Sequence, residues 1–255
     1  MTLPLHEYLV SLVLVLSLAF LAIRLLISRL AGTYRLFFCF VLLDTVQALA
    51  PFILSFRSSA YFYFFVATES LTLCFYALIV FELYRVLFQN LKGIAGLAQR
   101  YTLGALATAV LLAILLRVVL PKPHRPLEQF FYFEISVVSS LVLFILLLMA
   151  FLVYYPIPIH RNALVYAAGY AAYFLAKATV LFVNNLGSSS WLRTCSTIAS
   201  LVALVSVVFW AMCLSREGEK RTIVAGHRWS TPGTQEQVLQ RLYELNKSLL
   251  RARAR

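Results

Sequence analysis

Seven times along the chain, a run of apolar residues is long enough to cross a bilayer as a helix, which takes about 20 residues. The runs are Leu5 to Ile27, Leu36 to Phe56, Tyr61 to Leu87, Tyr101 to Leu120, Gln129 to Tyr155, Ala163 to Leu186 and Trp191 to Leu214. Each is continuous rather than alternating, which excludes β-barrel strands. Breakers stand between them: Arg57-Ser-Ser, Asn90-Leu-Lys-Gly93, the stiff Pro121-Lys-Pro-His-Arg-Pro126, Pro156-Ile-Pro158 and Leu186-Gly-Ser-Ser-Ser190. The first run is expected to stay as a span. Its stretch from Tyr8 to Ile23 has no basic segment before it and leads into Arg24 and Arg29, not into a small-residue cleavage site. The pattern predicts an all-α polytopic membrane protein, with a bundle of seven transmembrane helices over residues 1–214 and a tail over residues 215–255.

The tail has a different pattern. Gly218, Gly226 and Pro232-Gly233 keep its first half irregular. Thr234 with Gln237 three residues on makes a capping-box pattern, and Val238, Leu242, Leu245 and Leu249 follow as one apolar stripe. An amphipathic helix is expected over about 235–252, ending in Arg251, Arg253 and Arg255. Its apolar face has two candidate partners, a protein helix or anionic lipid. A stripe under three heptads favours lipid, or docking on the protein's own inner loops.

Composition agrees with the pattern. Hydrophobic residues make up 62% and charged residues 13%, with a mean hydropathy of +0.86. Soluble domains are nearer half apolar and a quarter charged, so lipid must cover most of the surface. The net charge of +12 reads as membrane orientation, not nucleic-acid binding, since no basic groove or aromatic stacking platform accompanies it. With the N-terminus outside, the inner loops hold seven Lys and Arg, the tail nine and the outer side five. The excess predicts N-out, C-in, and the tail decides it. A bacterial inner membrane is the expected location.

Chemistry is sparse. Cys39, Cys74, Cys195 and Cys213 stand in apolar runs without a CxxC and read as small packing residues. His6, His124, His160 and His227 are scattered among segments, so no metal and no cofactor is expected. There is no HExxH, GxSxG or P-loop, and Asp44 is the only aspartate, which rules out a paired-aspartate protease. Lys177 raises retinal, but in the rhodopsins the Schiff-base lysine is on the seventh helix, and the seventh run here has none.

The polar residues inside the runs are the informative ones, because a charge facing lipid is costly and turns to the bundle interior. At 1.5 Å rise per residue, Glu69 lies ~12 Å and Glu134 ~8 Å from the outer edge, and Lys177 ~9 Å below it. The three share the outer third, which predicts a Glu69–Lys177 or Glu134–Lys177 pair. Tyr166, Tyr170, Tyr173, Lys177 and Asn184 share one face of the sixth run, and Ala168, Ala172 and Ala176 form a small-residue ridge on another. Glu69, Thr72 and Tyr76 share a face of the third run. Asp44 and Gln47 form a second polar cluster on the second run, and Glu82 with Arg85 a local ion pair at an inner helix end. Two readings of the outer cluster stay open: a tyrosine-lined pocket opening outward, or polar glue between helices.

Phe81-Glu-Leu-Tyr-Arg85 through Gly93-Ile-Ala-Gly, with Gly226-His-Arg-Trp229 and Leu245-Asn-Lys-Ser-Leu-Leu-Arg251, resembles a group of uncharacterised bacterial multi-pass membrane proteins. That resemblance implies no activity. In architecture the chain is similar to the seven-span sensor modules that precede histidine kinases, without an output domain. The expectation is a non-enzymatic, sensor-like or interaction module taking a small ligand from the outer side. The alternatives are a small-solute transporter using Asp44, Gln47, Glu69 and Lys177, and a membrane enzyme.

Overall fold

The computed structural model of the chain describes residues 5–54, 58–88, 91, 94, 100, 103–104, 107, 111, 126–154, 157–186, 191–224 and 232–254. Most of the fourth run, Tyr101 to Leu120, lies outside the described residues. The helices are α1 (Leu5–Ile27), α2 (Arg35–Ile53), α3 (Ser59–Leu87), α4 (Pro126–Tyr154), α5 (Arg161–Leu186), α6 (Trp191–Cys213), the short α7 (Arg216–Lys220) and the tail helix α8 (Pro232–Ala254). Two short strands, β1 (Pro158–His160) and β2 (Thr222–Val224), pair antiparallel.

Among the described residues, five helices are long and apolar enough to cross a membrane: Tyr8–Ile27, Arg35–Ile53, Ser59–Leu87, Phe133–Tyr154 and Arg161–Val183. The described apolar part of α6, Thr197–Cys213, is shorter. The burial pattern differs from that of a water-soluble protein in how much apolar side chain faces outward. Leu16, Phe20, Leu147, Val205 and Met212 face outward, while Glu69, Thr72, Glu134, Asn162 and Ser206 are buried. Exposed apolar area on this scale needs an apolar surround.

The chain divides into two compact units, Met1–Ile79 with Ala172–Arg216, and Val80–Ala171 with Glu217–Arg255. In the first, α1 lies against both α2 and α6. Its core holds Leu18, Leu21, Leu25, Phe37, Phe40, Tyr76, Phe174 and Trp210, with Phe37 edge-on to Trp210 at 5.1 Å. α1 stops because Arg29 takes a left-handed conformation, φ 58°. The turn is tied by Ser28, whose hydroxyl donates to the Arg24 carbonyl at 2.7 Å. Arg24 itself reaches across to the last turn of α6 and donates to the Leu214 carbonyl at 3.2 Å. That contact satisfies a helix-end acceptor and sets a positive charge against the negative end of the helix dipole.

The second unit is built from the rest of α3, α4, the first part of α5, and the tail. Leu83, Leu87, Val138, Leu141, Ile145, Tyr166 and Tyr170 form its core, and Phe88 stands edge-on to Phe151 at 5.3 Å. β1 and β2 match Ile159 with Ile223 and His160 with Thr222. Asn162 adds a side-chain hydrogen bond to Glu219 at 3.2 Å. The tail helix is held by Asn246, whose side-chain oxygen accepts from the backbone N–H of Ile94 at 3.3 Å.

Several expectations need correcting. α8 starts at Pro232, ahead of Thr234, because proline is well suited to the first helical position, where its missing N–H costs nothing. The docked face of α8 is Leu239, Leu242, Asn246 and Leu249, rotated from the expected stripe. Leu245 is 53% exposed, whereas Leu242 is 4% exposed. On α5 the tyrosine face is the buried one, and Ala172 of the alanine ridge is exposed. Aromatic rings bury more apolar area than alanines, so they win the interior when both faces compete. Cys39 and Cys74 are exposed rather than interior.

Candidate functional site

Three helices of the first unit place polar side chains together at span depth. α3 carries Glu69, Thr72 and Tyr76 on one face at intervals of three and four. α5 brings Tyr173 and Lys177, and α2 brings Asp44 and Gln47. The Lys177 ammonium lies 2.9 Å from Glu69 Oε1 and donates to the Tyr76 hydroxyl at 3.0 Å. Glu69 Oε2 accepts from the Gln47 amide at 2.6 Å, and the Gln47 carbonyl oxygen accepts from the Thr72 hydroxyl at 3.3 Å. The Tyr76 and Tyr173 hydroxyls are 2.9 Å apart. The ammonium is 4.8 Å from the Tyr76 ring centre, farther than from the hydroxyl, so the hydrogen bond dominates that contact.

The network turns both oxygens of Glu69 to fixed partners. The side chains of Lys177 and Glu69 are only 17% and 9% exposed. A pair so placed must be mutually neutralised, because one partner alone would leave an uncompensated charge. Asp44 is half-buried one turn before Gln47, within electrostatic range of both Lys177 and Glu69. Tyr173 lies within range of the same three charges. Glu69 is thus the carboxylate in contact with the ammonium, with Asp44 a second acidic group within electrostatic range. The aromatic wall is continuous: Phe40, Tyr173 and Phe174 each contact the Tyr76 ring, with centres 4.8 to 6.0 Å apart.

Of the two pairings open for Lys177, Glu69 is the one formed. The separate Asp44–Gln47 cluster expected on α2 does not stand apart, since Gln47 bonds Glu69 directly. A side chain three turns along one helix lands beside another only through the crossing of two helices, which spacing on α2 alone does not reveal. Glu134 is 2% exposed and belongs to the second unit. Tyr170 belongs there too, edge-on to Tyr166 at 5.0 Å. The face of the sixth run therefore serves two places, and of its described side chains Tyr173 and Lys177 join the first unit's network. Asn184 lies on α5, but its side chain is outside the described residues. Glu82 accepts a hydrogen bond from the Tyr166 hydroxyl at 3.1 Å, while Arg85, expected as its ion-pair partner, is exposed. Tyr76 is the hub the sequence pattern placed on the right face without singling out; its phenol two turns along the same face from Glu69 was the available signal.

Comparison of the chain with protein-family models, with curated proteins and with solved structures returned no match. Function is therefore to be sought in the chemistry of the site itself.

Proposed function

We propose that the chain is a seven-span inner-membrane protein, N-terminus outside and tail inside. It acts as a receptor-like or interaction module that receives a small polar solute at the Lys177 network from the outer side. It is not an enzyme in this reading. The observation that carries it is the Glu69–Lys177 pair with Tyr76, Tyr173, Gln47 and half-buried Asp44 around it. Charges are retained inside an apolar bundle at a cost, and such residues by default mark a binding site or pathway. Asp44, an acidic group beside the Glu69–Lys177 pair and not in contact with it, favours a solute carrying a positive group. The lysine is engaged by a carboxylate and a phenol, which suits a hydrogen-bond donor and not an attacking amine.

Parity supports the span count. The tail holds both Ile94, through Asn246, and the 158–160 strand, through β2. Nothing apolar enough to cross lies between β2 and α8, so Ile94 and His160 share a side. α4 alone would leave them on opposite sides. A second crossing between them is needed, and Tyr101 to Leu120 is the run available. Reporter fusions after Gly32, Gly93, Arg125, His160 and Arg255 test this, with only the Arg125 fusion expected to report the outside.

The ligand reading is tested by thermal unfolding in detergent against small amines, amino acids and carboxylates. A solute that raises the midpoint in the native protein, and not in Lys177→Met, is the expected result. Cysteine placed at position 44 or 173 should also react with a water-soluble thiol reagent applied from outside. Complete protection at both positions would reduce the network to helix-to-helix glue.

A further inference from the structure

We propose that a groove between α1 and α6 holds one acyl chain of an anionic phospholipid whose phosphate is received by Arg24 and Arg216; the inference rests on the membrane reading above. The groove encloses about 280 Å³ and is lined by Leu16, Ser17 and Phe20 of α1 and Val208, Ala211 and Met212 of α6. Ser17 and Ala211 are small and leave the space, while Phe20 and Met212, 58% and 72% exposed, form its walls. A flexible hydrocarbon chain matches such a lining, and the bilayer supplies it in excess.

The end of the groove chooses the headgroup. Phe20 and Arg24 are four residues apart, so they stack on one face of α1. The Arg24 guanidinium is held by the Leu214 carbonyl at 3.2 Å, two residues beyond Met212, which puts its charge where the groove stops. A guanidinium has five N–H donors in a planar fork suited to phosphate, and the Leu214 contact uses one. Arg216, exposed and two residues after Leu214, adds a second positive charge. Glu217 follows it in the chain, so Arg24 carries the larger share of the recognition.

The test uses the full chain in nanodiscs of equal phosphatidylglycerol and phosphatidylcholine, released into a mass spectrometer under native conditions. Phosphatidylglycerol should be retained preferentially. Ser17→Phe, which fills the groove, should abolish that retention. Arg24→Gln should cut it about fivefold, the effect expected for one arginine at an anionic surface. Arg216→Gln, which leaves the α6 end contact intact, should lower it in the same direction and covers the case in which Arg24→Gln fails to fold. Equal retention of both lipids by the native protein would overturn the proposal. So would unchanged retention in Ser17→Phe, or a dimer that becomes monomeric in that variant with lipid unaffected, which would make the groove a face between copies. A protein that stays in solution without detergent or lipid would instead overturn the membrane reading itself.

Discussion

The first unit is held at span depth by side chains that meet other side chains. Among the described residues, the second adds backbone pairing between short strands at its helix ends. In the first, an ammonium, a carboxylate, an amide, a hydroxyl and two phenols supply polar contacts. In the second, a three-residue strand pair and the Ile94 N–H to Asn246 bond join elements, with Asn162 and Tyr166 each donating to a carboxylate. A side-chain network in an apolar surround has no water to fall back on, so removing a member leaves its partner stranded. Backbone pairing near water tolerates changes of side chain and fails only when the strand or the docked helix is dislodged. The first unit should therefore respond to the chemistry of single residues, and the second to shape and burial.

Lys177→Met should give the largest effect. Leaving Glu69 buried without its ammonium costs about 3 kcal/mol, read as a lower unfolding midpoint in detergent. Glu69→Gln in the same chain should restore part of the loss. Strict additivity in that double-mutant cycle would mean the pair does not couple. Leu242→Asp in the second unit should remove about 2 kcal/mol of apolar burial and expose the tail helix to limited proteolysis. Tyr76→Phe and Tyr166→Phe remove one hydroxyl each, at about 1 kcal/mol apiece. The contrast is sharpened if a bound solute's stabilisation is lost in Tyr76→Phe and kept in Tyr166→Phe; equal loss in both would blur the two units into one. Leu245→Asp should be the smallest, within about 0.5 kcal/mol as for most surface changes. Proteolysis of the tail as fast as in Leu242→Asp would show that the docked face has been read one position out.

Local pattern was enough for the parts of this protein that depend on local energetics. Runs of apolar residues set the positions of the helices, because a span must satisfy its own backbone wherever its neighbours lie. The rarity of charge in those runs singled out Glu69, Glu134 and Lys177, and the intervals of three and four residues put Tyr76 on one face with Glu69 before any contact was known. Which carboxylate Lys177 takes was not legible, since Glu69 and Glu134 lie at similar depth and only the crossing of helices brings one to it. The same crossing drew Gln47 into the network and divided the tyrosine face of α5 between two units. The strand pair left almost no trace in the sequence beyond β-branched Thr222, Ile223 and Val224, because its hydrogen bonds come from backbone groups every residue carries. Apolar spacing located the tail helix but missed the face it docks, since that face also carries Asn246, which accepts from the Ile94 N–H. The groove beside Arg24 exists only in three dimensions: Ser17 and Ala211 are small residues far apart in the chain, and a gap between two helices belongs to neither sequence segment alone.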